Sequence, residues 1–245
     1  IIGSGLAGYT VIREFRKLES EVPVIIISAD HGGFYSKPML SNALTKGKTP
    51  DTLLNSNAEH VAEQMKAVIR PYSKVSAINP SNKNITLQDG EEINYDQLVL
   101  ALGANQIRLP LEGDGSEEIL SVNNLDDYRS FRDTLTTKKE ISILGAGLIG
   151  CEFANDLAMA GYNVHVIDIS TQPLGKLLPP AGGAFLKRKL EAIGVAFHFD
   201  TITKRVEKIG KKLQLTFANG KTLQTDILLT AVGLIPNTSL AEKAG

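Results

Sequence analysis

One stretch of the chain changes from the apolar pattern of a strand to that of a helix. Residues 141–144 (ISIL) form a short apolar run, which predicts a buried strand. Apolar residues then recur four apart, at Ile149, Phe153 and Leu157, which predicts a helix with one apolar face. The turn between them has the spacing G-x-G-x-x-G. A strand, a glycine-rich turn and a helix in this order predict the start of a βαβ unit.

The three glycines of this turn have separate physical roles. Gly145 permits the tight turn, Gly147 lets the backbone approach a pyrophosphate, and Gly150 lets the helix pack closely on the strand. The free N–H groups at the helix N-terminus bind the anion. The next predicted strand, 163–167, is followed by Asp168, 168 − 145 = 23 residues after the first glycine, near the spacing of a ribose-binding carboxylate. We therefore predict a dinucleotide site rather than an ordinary glycine-rich turn.

The beginning of the chain repeats this arrangement. Ile1 and Ile2 lead into glycines at 3, 5 and 8, and a β-branched run at 22–27 is followed by Asp30. The residues after the glycines predict a second amphipathic helix, whose apolar face would consist of Ala7, Val11, Phe15 and Leu18. The chain therefore contains two candidate dinucleotide motifs.

The repeat extends beyond the glycines. Each motif is followed by two short predicted strands with turn signals between them, at 74–78 and 84–88 and again at 205–209 and 213–217. Each copy then closes with an apolar strand, YDQLVLALG or TDILLTAVG, whose aspartate and final glycine are 103 − 96 = 7 and 233 − 226 = 7 residues apart. An internal duplication is the simplest explanation.

The duplication predicts an α/β fold with two tandem Rossmann-like, three-layer domains, each with a β-meander. We expect an FAD-type domain at 1–108, a linker at 109–118 and an NAD-type domain at 119–245. The abrupt start within a strand and the stop at Gly245 suggest a fragment that is incomplete at both ends and lacks a C-terminal domain.

Composition narrows the classes of function. The 245 residues carry a net charge of −1, with 22% charged residues, so no global charge favours nucleic acid or an anionic membrane as a partner. No apolar run is long enough for a membrane span. Cys151 is the only cysteine, which excludes an intramolecular disulfide and a C-x-x-C pair and fits a reducing, cytoplasmic setting.

The paired motifs and closing strands resemble the flavin-dependent pyridine nucleotide oxidoreductases over essentially the whole chain. The segments FYSKPMLS (34–41) and GLIGCEFANDLA (147–158) are similar to the rubredoxin–NAD reductase branch, with ferredoxin reductases of oxygenase systems as near relatives. The resemblance implies FAD in the first domain and NADH in the second, because nicotinamide carries a hydride that flavin accepts. A later family segment that meets the ribityl chain of FAD does not occur in these residues.

The resemblance also implies site residues. Those for FAD would be Gly3, Gly5, Leu6, Ala7, Asp30, Lys37, Val75, Ala101, Gly103 and Arg108. Those for NADH would be Gly145, Gly147, Leu148, Ile149, Glu152, Asp168 and Gly233.

The reacting end of the predicted site departs from the family pattern. The resemblance implies that Lys37 lies near the flavin and that Glu152 accepts from the nicotinamide carboxamide. Many relatives place a lysine beside the flavin where this chain has Asn42, so either Lys37 replaces it or Glu152 is unpaired until NADH binds. The alternative for Lys37 is a solvated loop residue. Without the resemblance, Glu152 is equally interpretable as a carboxylate favoured by the helix dipole.

Cofactor choice and thiol chemistry can be argued from the residues. Asp168 would accept from a ribose diol and repel a 2′-phosphate, and no arginine follows it directly, so NADH is expected over NADPH, with Lys176 as the main reservation. Cys151 follows the last motif glycine, where a small buried thiol is the favoured role. No metal site is expected.

The predicted reaction is electron transfer from NADH through FAD to a small iron carrier, with rubredoxin as the leading candidate and neither nucleic acid nor membrane as a partner. The alternatives are a ferredoxin reductase, an NADH oxidase, a peroxidase relative or a nitrite-reductase-type flavin module. A switch like apoptosis-inducing factor and a flavin-free dehydrogenase with a duplicated domain also remain open. A basic cluster (Lys204, Arg205, Lys208, Lys211 and Lys212) could dock an acidic carrier, although a solvated meander is favoured.

Overall fold

A computed structural model describes residues 1–135 and 139–245. Its α-helices are α1 (Leu6–Phe15), α2 (Pro50–Leu53), α3 (Ala58–Met65), α4 (Leu125–Thr134), α5 (Leu148–Met159), α6 (Pro180–Glu191) and α7 (Ser239–Glu242). Short 3₁₀-helices span Lys37–Asn42 and Ser116–Glu118.

The strands are mostly short. They are β1 (Ile25–Ile27), β2 (Phe34–Tyr35), β3 (Leu54–Ser56), β4 (Val68–Arg70), β5 (Val75–Asn79), β6 (Asn84–Leu87), β7 (Glu92–Asn94), β8 (Ala104–Gln106), β9 (Glu140–Leu144), β10 (Asn163–Ile167), β11 (Val195–His198), β12 (Thr203–Ile209), β13 (Lys212–Phe217), β14 (Thr222–Thr225), β15 (Ile227–Thr230) and β16 (Leu234–Pro236).

The chain divides into two compact units that do not follow the sequence as continuous blocks. Unit 1 comprises 1–36, 54–105 and 235–245, and unit 2 comprises 37–53 and 106–234. The segment 37–53 thus belongs to unit 2, although both of its ends continue into unit 1. The domain boundaries inferred from the sequence stay a prediction.

Unit 2 is built around a parallel sheet with the strand order β11-β10-β9-β15. All three pairings are parallel, and Ile141 in β9 lies opposite Val164 on one side and Ile227 on the other. Strands β12, β13 and β14 form an antiparallel meander. Its buried residues pack with apolar residues of the sheet in one core cluster: Leu144, Ile167, Val206, Leu213, Leu215, Phe217 and Leu228.

Unit 1 has the same plan. β1 pairs in parallel with β4, and Ile2 forms parallel bridges to both Ile27 and Leu100, which gives the order β4-β1-Ile2-Leu100. Strands β5, β6 and β7 form the matching antiparallel meander. The two units therefore repeat one topology, and the predicted tandem Rossmann-like fold with two meanders is confirmed.

The stretch predicted as a linker is hydrogen-bonded along β12 within unit 2. The Glu112 N–H donates to Lys204 O at 3.1 Å and Glu112 O accepts from the Val206 N–H at 2.8 Å. A Cβ on Gly113 would lie 2.1 Å from Val206 O, so only glycine permits this close approach.

The predicted face of α1 is wrong, and in α5 the first residue of the predicted face, Ile149, is 42% exposed. Helix α1 buries Gly8, Tyr9 and Ile12, while Val11 of the predicted face is exposed and Leu18 lies beyond the helix end. The spacing misleads because the start of α1, which includes Ala7, is exposed and does not pack on the sheet. Within the described residues, no helix is long and apolar enough to cross a membrane.

Candidate dinucleotide-binding sites

The glycine turn between β9 and α5 has the geometry that its spacing predicts. Gly145 has φ +108°, and a Cβ there would lie 2.6 Å from Ala231 O, so the turn requires glycine. A Cβ on Gly150 would lie 1.9 Å from Gly145 O, because the helix crosses the strand end so closely. Gly147 is different: its φ is ordinary and nothing lies within 4 Å of its Cβ position. Its lack of a side chain leaves open space at the helix N-terminus.

The turn between Ile2 and α1 repeats this geometry residue for residue. Gly3 has φ +111° and its Cβ position lies 2.1 Å from Ala101 O, while the Cβ position of Gly8 lies 2.0 Å from Gly3 O. Nothing lies within 4 Å of the Cβ position of Gly5. The Gly3 N–H donates to Ile27 O at 2.8 Å, as the Gly145 N–H donates to Ile167 O at 2.8 Å.

Gly5 and Gly147, whose Cβ positions are open, are each the N-cap of a helix. We call the open space in front of the first N–H groups of each helix a cradle. Gly5 and Gly147 are extended N-caps, and neither helix has a side-chain cap among the described residues. The first residues beyond them are exposed, Leu6 by 68% and Leu148 by 56%. Unpaired N–H groups and the positive end of the helix dipole bind phosphate. Both cradles therefore fit the pyrophosphate of a dinucleotide.

An aspartate follows the second strand in each unit. Asp168 Oδ2 accepts from the Ala146 N–H at 2.5 Å, and its Oδ1 accepts from the Ser170 N–H at 2.7 Å and the Ser170 hydroxyl at 2.5 Å. Asp30 Oδ1 accepts from the Gly32 N–H at 2.9 Å and the Ser28 hydroxyl at 2.5 Å. Each carboxylate thus fixes its own loop, and Asp168 Oδ2 keeps acceptor capacity for a further hydroxyl.

A cavity of about 820 Å³ opens beside the glycine turn of unit 2, and its wall is mainly apolar. Six of the seven residues predicted for NADH line it: Gly145, Gly147, Leu148, Ile149, Asp168 and Gly233. The seventh, Glu152, is one turn along α5, and its partner Ser41 does line the cavity. The structure therefore brings the residues predicted for NADH together. The volume of the cavity lies within the range found for ligand sites.

Glu152 has a neutral hydrogen-bond partner rather than a lysine. Its Oε2 accepts a hydrogen bond from the hydroxyl of Ser41, which is itself buried. Among the described residues, Glu152 makes no ion pair with Lys37. Ser41, one residue before Asn42, therefore supplies a neutral donor near the position where relatives were expected to carry a lysine.

Lys37 lies at the same cavity in unit 2. Burial of its ammonium lowers the pKa of Lys37, and Asp127 partly opposes that shift. Its role toward a flavin stays a prediction.

The remaining predicted FAD residues lie mostly in unit 1. Val75 is buried with Ile2 and Ile27, Ala101 supports the glycine turn, and Gly103 has φ +66°. Arg108 is exposed and belongs to unit 2, and its role toward FAD stays a prediction.

Sequence reasoning missed Asp156. This residue is 2% exposed on α5, and its carboxylate accepts from the backbone N–H groups of Leu44 and Thr45. The available signal is an acid inside an apolar helix pattern, four residues after Glu152.

Thiol and metal chemistry find no support at these sites. Burial, followed by the charges of Asp168 and Glu152, raises the pKa of Cys151 to about 11, so its thiol stays protonated near neutral pH. No metal-binding group of His, Cys, Asp or Glu occurs within 1–135 and 139–245.

Three members of the basic cluster are ion-paired, for example Lys208 to Glu118 at 2.6 Å, as a solvated meander predicts.

Two Rossmann-type units with matching anion cradles define a tandem dinucleotide-binding protein. The chain belongs to the pyridine nucleotide-disulphide oxidoreductase family, whose model matches residues 1–245. Because it has a single cysteine, these residues cannot form the intrachain disulphide for which the family is named.

Individual relatives match over the whole chain. It is 48% identical to a rubredoxin-NAD(+) reductase of Acinetobacter baylyi and 44% identical to one of Alcanivorax borkumensis. In both alignments it is fully covered but spans only 64% of the relative's length. Among solved structures it is similar to the ferredoxin reductase for the CYP199A2 system of Rhodopseudomonas palustris, with a TM-score of 0.91 at 25% identity, covering 100% of this chain and 61% of that one.

Proposed function

We propose that this chain is the nucleotide-binding part of an NADH-dependent flavoprotein reductase that passes electrons from NADH through FAD to rubredoxin. The observation that carries the proposal is the repeated cradle, in which Gly5 and Gly147 each leave open space before a helix N-terminus. Two such cradles suit two dinucleotides.

Unit 2 would hold NADH. The N–H groups that follow Gly147 would donate to its pyrophosphate, and Asp168 Oδ2 would accept from an adenosine ribose hydroxyl. The same negative charge would repel the 2′-phosphate of NADPH. The apolar cavity wall would exclude water, and Glu152, held by Ser41, would orient the carboxamide. These contributions are positioning and desolvation rather than acid–base chemistry.

Unit 1 would hold FAD, which accepts a hydride and returns electrons singly. The N–H groups that follow Gly5 would donate to its pyrophosphate, and Asp30 would accept from its ribose. Asp30 is already oriented by the Gly32 N–H and by the Ser28 hydroxyl, which in turn accepts from Ser4 Oγ at 2.5 Å, so its position is fixed by the protein. Lys37 and Arg108 complete the proposed set of FAD contacts.

Rubredoxin is proposed as the acceptor because the two relatives at 48% and 44% identity are both rubredoxin-NAD(+) reductases. A ferredoxin is the second candidate, favoured by the similarity in structure to a ferredoxin reductase. We also propose a cytoplasmic location, since a single cysteine suits a reducing compartment.

The test uses the full-length protein. It should be purified with flavin absorbance, and anaerobic NADH should bleach that absorbance while NADPH does so far more slowly. Added rubredoxin should then reoxidise the flavin faster than ferredoxin does.

Absence of bound flavin would overturn the flavoprotein assignment in favour of a duplicated dehydrogenase. Bleaching by NADH with reoxidation by oxygen alone would identify an oxidase. A stable charge-transfer colour without turnover would indicate a switch.

A further inference from the structure

The segment 37–53, which we call the strap, is fastened to the helices of unit 2 by four polar anchors. Ser41 donates to Glu152 and Thr45 donates to Asp156, both on α5. From α4, Arg132 donates to Lys48 O at 3.0 Å and Arg129 to Asp51 at 2.8 Å. The start of the strap, at Lys37, lines the cavity beside the glycine turn.

Asp156 is the buried anchor. Its Oδ2 accepts from the Leu44 N–H at 2.8 Å, its Oδ1 accepts from the Thr45 N–H at 2.9 Å, and the Thr45 hydroxyl also donates to Oδ1. Burying a carboxylate is costly unless its acceptor positions are used. Three donors from two consecutive strap residues offset that cost only while the strap keeps this one conformation. Asp156 therefore specifies where the strap lies on α5.

Glu152 and Asp156 are four residues apart and share one face of α5. Both accept from the strap, at positions also four residues apart, Ser41 and Thr45. If the hydrogen bonds to Asp156 were lost, residues 41–45 of the strap would therefore be released from α5, and with them the Ser41 hydroxyl that donates to Glu152.

We propose that Asp156 is a positioning residue for hydride transfer, acting through the strap to hold Ser41 on Glu152 and Lys37 at the cavity. The inference rests on the proposed function, in which Glu152 orients the nicotinamide. It assigns Asp156 no contact with either cofactor.

The first test is Asp156→Asn in the full-length protein. The side chain keeps its size, but its amide N–H₂ now faces a backbone N–H donor, so one anchor bond is lost. Amide hydrogen exchange of the cofactor-free protein should become at least about tenfold faster in peptides from 41–48, while peptides from β9 and β10 stay unchanged. Asn155→Ala, at the exposed neighbouring position on α5, is the matched control and should change neither region.

The second test is kinetic. With FAD bound, the rate constant of flavin reduction at saturating NADH should fall about tenfold in Asp156→Asn, while the dissociation constant of NADH changes less than threefold, because orientation rather than binding is lost. Thr45→Val removes only the exposed hydroxyl donor, and it should show a smaller change in the same direction without threatening the fold.

A double-mutant cycle separates positioning from general loss of stability. If Asp156 acts through Ser41, then Asp156→Asn should have little further effect on the reduction rate in a Ser41→Ala background. Additive effects would overturn the proposal, as would wild-type reduction rates in both Asp156→Asn and Thr45→Val. A wild-type protein without flavin reduction by NADH would instead refute the proposed function, so the two failures are distinguishable.

Discussion

The glycine turn of unit 2 allows fold and binding to be perturbed separately. Gly147→Ala places a methyl group where nothing lies within 4 Å and where φ is ordinary, so it should not strain the protein. Replacing glycine by alanine where the backbone is compatible usually raises the free energy of unfolding by about 0.4–1 kcal/mol, because alanine lowers the entropy of the unfolded chain. Alanine is a poorer N-cap than glycine, so the two effects oppose each other at Gly147. Gly150→Ala is the opposite case, because its methyl would lie 1.9 Å from Gly145 O, a backbone atom that cannot swing away. Overpacking of this kind should lower the free energy of unfolding by about 3 kcal/mol.

The two substitutions should differ in their effects on thermal unfolding and on NADH binding. Gly147→Ala should unfold near the wild-type temperature but bind NADH at least about tenfold more weakly, equivalent to about 1.4 kcal/mol, because the methyl occupies the space proposed for the pyrophosphate. Gly150→Ala should lose stability in the cofactor-free protein. Thermal unfolding and NADH titration of the full-length protein measure the two quantities.

Gly161→Ala is the matched control. Unlike Gly147 and Gly150, Gly161 has a positive φ, +89°, but its Cβ position is open and it follows the far end of α5. It should lose about 1–2 kcal/mol of stability through backbone strain without a change in NADH affinity. Wild-type NADH binding by Gly147→Ala would refute the assignment of this turn as the nucleotide cradle, and wild-type stability of Gly150→Ala would refute the packing argument.

Three further outcomes are expected. Asp168→Ala should raise the KM for NADH about tenfold and reduce the preference for NADH over NADPH, measured as the ratio of kcat/KM values; an unchanged ratio would contradict the role of its charge. Phe131→Ala should destabilise by about 3–5 kcal/mol in chemical denaturation, because the ring is buried and packs edge-on against Phe153 at 5.8 Å; a loss below about 1 kcal/mol would refute that packing. Burial, and then His165, lowers the pKa of His198 from 6.5, so the folded state binds fewer protons than the unfolded chain just below that pH. Stability should therefore be complete above pH 6.5 and fall as the pH drops below it, and His198→Gln should flatten this fall in melting temperatures measured between about pH 5 and 8.

Features set by local spacing are predictable from this sequence. The run at 163–167 coincides with β10, and the glycine spacing defines both turns, because strand and turn geometry depend on neighbouring residues. The face of α1 is predicted incorrectly, since burial there depends on the sheet rather than on the period within the helix. The pairing of Ser41 with Glu152 spans 111 positions, so no local pattern could indicate it.

Asp30 and Asp168, the acids that follow the second strand of each unit, hold the glycine turn in addition to their proposed contact with a ribose. Asp168 accepts from the Ala146 N–H, and Asp30 accepts from the Ser28 hydroxyl, to which Ser4 Oγ donates at 2.5 Å, so each carboxylate joins its own loop to the residue between the first two glycines of the motif. The same link is made by a backbone donor in one copy and by a side chain in the other. Both copies make this link by different means, so orientation of the glycine turn is a structural role of these acids that does not depend on the proposed ribose contact. Ser4→Ala would remove the link in unit 1 while leaving the Asp30 carboxylate in place, whereas the donor in unit 2 is a backbone N–H that only proline at position 146 would remove, with a constraint on the backbone of the turn. Unit 1 is therefore the copy in which support of the turn can be separated from the proposed contact with a ribose.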